Sequence, residues 1–105
     1  MAREREWTLI IEWEKVRMRT KVQSEKGIVI DMLVQLEYND NGWHDVVRYN
    51  YAHGKPHVDK MHKDGRKEKI WLDHKNLNEA LAYAETNVRS NWRRLLWECG
   101  YREID

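Results

Sequence analysis

The hydrophobic period of this chain changes once, at Asn76, and that change restricts the fold more than any single motif does. After it, Leu77, Leu81, Ala84, Val88, Trp92, Leu95 and Cys99 recur every three or four residues, one apolar stripe of an α-helix. Asn76 and Glu79 have the spacing of a capping box, with an amide in place of the usual hydroxyl, and Gly100 marks a C-terminal stop. The spacing predicts a helix over about residues 77–99.

Ahead of Asn76 the period is two. In "EWTLIIEWEKVRMRTKVQ", Val16, Met18 and Thr20 alternate with Arg17, Arg19 and Lys21, which predicts one long strand with a wet face. In "IVIDMLVQLEY", Ile28, Ile30, Met32, Val34 and Leu36 share a face, while Leu33 and Val29 on the other suggest partial cover on both sides. "SEKG", "NDNG", "AHGKP" and "KDGR" read as turns, because Gly and Asn tolerate positive φ. Between them "WHDVVRYNY", "HVDKMH" and "KEKIWLD" read as strands, with Pro56 at a turn or a strand's first residue because it cannot donate to a ladder. Strands first and helix last imply an α+β domain. The expected architecture is an antiparallel sheet of four to five strands, over about residues 7–73, packed against one long C-terminal helix.

At 105 residues the chain has room for a single domain, residues 1–105, and its 41% apolar content suffices for one core. Six tryptophans and five tyrosines supply the large side chains, with no phenylalanine. Charged residues reach 35%, yet 19 basic groups face 18 acidic ones, so the net charge of +1 selects no class of partner. Such an abundance of Lys, Arg and Glu suits the surface ion pairs of a thermophile, and equally a solvated mesophilic face. The lone Cys99 rules out an internal disulfide and makes a cysteine-based zinc site implausible, and its place on the helical stripe suits a core residue. "MAREREWTLIIEWEK" opens on charges and lacks a signal-peptide pattern, and no apolar run reaches membrane length. A cytoplasmic protein that does not enter the membrane is expected.

Chemistry concentrates in "RYNYAHGKPHVDKMH", residues 48–62, which holds three of the five histidines. With Ala52 to Pro56 as the loop, Tyr51 would oppose His57, Tyr49 would oppose Asp59 and Val47 would oppose Met61, all on one face. Arg48, Asn50, Val58, Lys60 and His62 would take the other, and a register shift of one residue would exchange the faces of one strand. His53, His57 and Tyr51 are then the candidate catalytic groups: cleavage of RNA through its own 2′-OH needs a base, an acid and a cation for the phosphorane. Arg48 and Lys55 would hold the phosphate, and Tyr49 or Tyr51 would stack a base. An alternative set of His53, His57 and Asp59 could ligate zinc, iron or manganese, although no metal-ligand motif is matched. No cofactor is expected, since the chain lacks a phosphate-cradling glycine loop, a G-x-S-x-G elbow and an HExxH pair. Two basic runs, "HKDGRKEK" and "RSNWRR", place cations beside aromatics as nucleic-acid binding requires, and both fit an ordinary solvated face as well. A non-catalytic interaction module, a homodimer or the partner of a transcriptional regulator, is the rival of another class.

Residues 46–62, "VVRYNYAHGKPHVDKMH", resemble the Y-(D/N)-x-x-HG-x-x-H signature of small prokaryotic TumE-like toxins and their relatives. Tyr49, Asn50, His53, Gly54 and His57 match it; Val58-Asp59 departs from the more basic pair expected there. The resemblance implies an antiparallel sheet with a helical C-terminus, a toxin-like or nucleic-acid-linked role, and a helix-turn-helix antitoxin as partner.

Overall fold

The computed structural model describes residues 2–52, 54–74 and 76–102. Six strands run in chain order across one antiparallel sheet: β1 (Arg3–Glu12), β2 (Val16–Glu25), β3 (Ile28–Asn39), β4 (Trp43–Ala52), β5 (Lys55–Met61) and β6 (Lys67–Trp71). The helix α1 (Leu77–Glu98) follows and lies mainly against β3 and β4. The domain is α+β, as its periodicity implies, but the sheet has six strands rather than four to five. The extra strand comes from the N-terminal segment, expected as one long strand. The chain reverses there at Trp13–Lys15, where Glu14 takes φ 59° and the Lys15 N–H donates to the Glu12 carbonyl at 3.0 Å. A non-glycine residue at positive φ is uncommon, so this turn has no composition to announce it.

The inner strands β2 to β5 bury side chains under the helix, while the edge strands β1 and β6 hold no fully buried residue. Val16, Met18 and Val22 from β2, Met32, Val34, Leu36 and Tyr38 from β3, and Val47, Tyr49 and Val58 from β4 and β5 form the sheet's half of the core. Ala80 and Ala84 let α1 approach closely, and Val88, Leu95, Leu96 and Cys99 complete the contact. Trp92, which the stripe places in the core, is only partly buried and packs at its edge. Burial pushes the Cys99 thiol upward in pKa, which suits a core residue rather than a nucleophile.

Local chemistry sets both helix ends. The Asn76 side chain accepts from the Glu79 N–H at 2.9 Å. At the other end Gly100, at φ 96°, donates to the Trp97 carbonyl and Tyr101 to that of Leu96, which together make a Schellman motif. Helical geometry lapses once inside, at Asn91 (φ −129°), whose side chain donates to Asn87. No helix among the described residues is long and apolar enough to cross a membrane.

One irregularity decides what the uncovered face carries. Leu36 pairs with Val47, but the next residue, Glu37, pairs with Asp45, so Val46 is an extra residue in β4. This bulge lets Val46 and Val47 both bury fully. It also carries Asp45 and Arg48, three apart in sequence, onto the same open face.

Candidate functional site

With α1 on one side only, the other side of the sheet meets solvent, and the register lays its side chains in cross-strand rows. One row reads Lys21, Leu33, Asn50, His57, Trp71. The next reads Arg19, Gln35, Arg48, Asp59, Lys69, and a third begins Arg17, Glu37, Asp45. Directly opposed side chains in such a ladder are close enough to interact, which is why opposite charges sit across from one another.

The third row holds the most buried charge. Glu37 is 2% exposed. Its carboxylate accepts from Arg17 Nε at 2.5 Å, from Arg19 Nη1 at 3.4 Å and from the Gln35 amide. Gln35 also donates to Asp45 Oδ1 at 2.9 Å and accepts from Arg48 Nε at 2.9 Å, while Arg48 Nη2 reaches Asp45 Oδ2 at 2.8 Å. The chain's balanced charge is thus partly laid out as a polar sheath over the open face. Arg17 also lies 3.9 Å from the ring centroid of Trp43, itself 38% exposed.

His57 sits in the first row and is 3% exposed. Its Nε2 is 3.3 Å from Asp59 Oδ2, which also accepts from Asn50 Nδ2 at 3.4 Å. Its Nδ1 is buried with no hydrogen-bond partner among the described residues. The Trp71 ring covers it at 5.2 Å between centroids, and Lys69 Nζ lies 5.4 Å from that same indole. Two hollows open on this face. One, of about 720 Å³, is lined by Trp43, Asp45, Arg48, Asp59, Lys67 and Lys69 among others. The other, of about 500 Å³, includes Lys21, Asp31, Leu33, Asn50 and, again, Arg48. Arg48 is the ridge between them.

The hairpin register differs by one residue from the expected one. Tyr51 opposes Pro56, Asn50 opposes His57 and Arg48 opposes Asp59, because the loop between Ala52 and Lys55 is shorter than five residues. That shift exchanges the faces. Arg48 and His57 come together on the open side with Asp59 and Asn50, whereas Tyr49 and Tyr51 turn toward the helix. Tyr49 is 2% exposed and its hydroxyl accepts from the Asn87 amide; burial pushes the phenol up to about 12. It offers no ring face to a base. Tyr51 is half-buried beside the core and also borders the second hollow. Lys55 is exposed at the start of β5, two residues before His57 and on its face. His53 lies outside the described residues. No group of three or more His, Cys, Asp or Glu among the described residues is arranged to hold a metal.

Sequence reasoning missed Trp43, Trp71, Lys67 and Lys69 as members of this face. The signal was present in "KEKIW", where Lys67, Lys69 and Trp71 alternate with period two beside the histidine strand. What was lacking was the register that makes them its neighbours.

Residues 2–98 match a family model described as Domain of unknown function (DUF7718). The chain belongs to that family. No curated protein and no solved structure matches it. The family's description carries no activity.

Proposed function

We propose that this chain is an RNA-binding module of TumE-like type that takes a single strand across the open face of its sheet. The observation that carries the reading is the pairing of exposed indoles with free cations on one face. Trp43 and Trp71 are 38% and 46% exposed. Along β4 their rows lie six residue steps apart once the bulge is discounted, roughly 20 Å. Between them Lys67 and Lys69 have no carboxylate partner among the described residues, while Asp45, Asp59 and Glu68 are each engaged by Arg48, His57 and His62. Around the larger hollow, the groups left without an ion-pair partner among the described residues include the Trp43 indole and these two lysines; the unpaired carboxylate of this face, Asp31, lies in the other hollow. Stacking rings along a cationic track are how sheets hold single strands.

The geometry favours binding over cleavage. A general base must reach the proton it takes, and His57 lies under Trp71 with its ring almost wholly covered. The test is fluorescence anisotropy with a labelled single-stranded 12-nucleotide RNA. Trp43→Ala and Trp71→Ala should each weaken binding by about five- to 150-fold, the range for losing one stacked base. A folded protein that binds no single-stranded RNA even at low salt would end this reading. Gel analysis of the same mixtures separates the rival: shortening of the RNA that disappears in His57→Ala makes the face an active site.

A further inference from the structure

One motif remains outside that face. "RSNWRR" lies on α1, on the opposite side of the sheet, and its residues do not share a hollow with Trp43 or Trp71. Since Ala84, Val88 and Leu95 point to the sheet, Arg89, Arg93 and Trp97 at four-residue spacing line the outer side of the helix. Trp97 is 53% exposed there.

Two features separate this surface from an ordinary solvated helix. First, two of its guanidiniums lie over indoles: Arg93 is 4.4 Å from the ring centroid of Trp92, and Arg102 is 4.0 Å from that of Trp97. A stacked guanidinium is held in place with its edge turned outward for contact with a planar anion or a phosphate. Arg102 has no carboxylate on that edge among the described residues, while Arg93 gives one donor, Nη2, to the exposed Glu12. Second, the positive charge is poorly compensated. Of Arg89, Arg93, Arg94 and Arg102, only Arg93 has a carboxylate partner among the described residues, Glu12 at 3.4 Å, and that pair is exposed on both sides. The last turn of the helix holds no basic residue, so complementing the helix dipole does not account for them.

We infer that the outer side of α1 is a second nucleic-acid face, holding the phosphate backbone of a strand through Arg89, Arg93 and Arg102. Phosphate fits better than an acidic protein segment because the outer side of a helix is convex. It gives point contacts about 6 Å apart per four residues and no groove for a partner's side chains. The inference does not rest on the open-face reading. If both hold, the chain carries strands on opposite sides and can bridge two RNA segments.

The test uses the full chain and a labelled 12-nucleotide poly(U) strand, titrated across a salt series. Arg89→Ala/Arg93→Ala/Arg102→Ala should reduce the slope of log affinity against log salt by about two, at roughly 0.7 per phosphate contact. Affinity at low salt should fall about tenfold or more on the same basis. The Lys triple variant, which keeps the charges, should retain most of that slope. Repeating the Ala triple in a Trp43→Ala/Trp71→Ala background separates the two faces: residual binding should persist in the double variant and vanish with the arginines. An Ala triple that is folded by circular dichroism and binds with the original affinity and slope overturns the inference. So does a Lys triple whose salt slope is as low as that of the Ala triple, since the retained charges would then not be the groups on phosphate. A labelled poly-glutamate peptide that binds through these arginines while poly(U) does not would assign the face to an acidic protein instead.

Discussion

Glu37→Ala tests whether the open face is held by a buried charge or merely carries surface pairs. Removing one partner of a fully buried ion pair costs about 3–5 kcal/mol, because the other charge is left uncompensated. Glu37 is 2% exposed, but its partners are less deeply placed: the side chains of Arg17 and Arg19 are 27% and 42% exposed. Both guanidiniums can turn to water after truncation. Gln35 keeps Asp45 as an acceptor. The expected loss is therefore reduced to about 2–3 kcal/mol. Glu6→Ala is the internal control, since Glu6 contacts the same Arg19 at 3.1 Å, a shorter distance than the 3.4 Å from Arg19 to Glu37. Glu6 is 49% exposed, so its pair should contribute no more than about 0.5 kcal/mol. Burial, not distance, decides which carboxylate matters. Urea unfolding measures both; at a slope of about 1–3 kcal/mol per molar, Glu37→Ala should lower the midpoint by roughly 1 M or more, without changing the slope. Equal losses for the two variants would refute the reasoning.

Tyr49 makes stability depend on alkaline pH. Its phenol is pushed up to about 12 in the fold against an ordinary 10, so the unfolded chain ionises first. Stability should fall as pH rises from 10 to 12, with Tyr49 contributing up to about 1.4 kcal/mol per unit. Tyr49→Phe should show a shallower slope in urea titrations, the remainder coming from Cys99 and Tyr101, which burial also raises. Gly100→Ala should cost about 1 kcal/mol or more by thermal melt, because φ is 96° and a Cβ would sit 3.3 Å from Lys63 Cβ. Leu96→Ala should cost about 2–5 kcal/mol, since Leu96 is fully buried. Trp92→Ala should fall below the roughly 3–5 kcal/mol of a buried tryptophan; melts ranking Trp92 far above Leu96 would mean the helix is seated differently.

The helix was legible almost to the residue. Its stripe, the Asn76 cap and the Gly100 stop are local, and local terms suffice where every hydrogen bond spans four residues. The alternation in β2 likewise put Val16 and Met18 inside and Arg17 and Arg19 outside. The β2–β3, β3–β4 and β5–β6 turns were legible for the same reason, since Gly27, Gly42 and Gly65 all take positive φ. The β1–β2 turn was not, because Glu14 takes that conformation without a residue type that prefers it.

What only the tertiary structure decided is which side chains share the open face. Every strand position is an inward or outward one, so a single step of register moves a residue to the other side of the sheet. That step took Tyr49 and Tyr51 away from His57 and brought Arg48 and Asn50 to it. The bulge at Val46 did the same for Asp45. Both depend on how Val47, Tyr49 and Val58 fill space beneath α1, contacts made between segments distant in the chain. The residue types of a polar, aromatic face were written in the sequence, while their assembly into one surface was set by packing on the opposite side of the sheet.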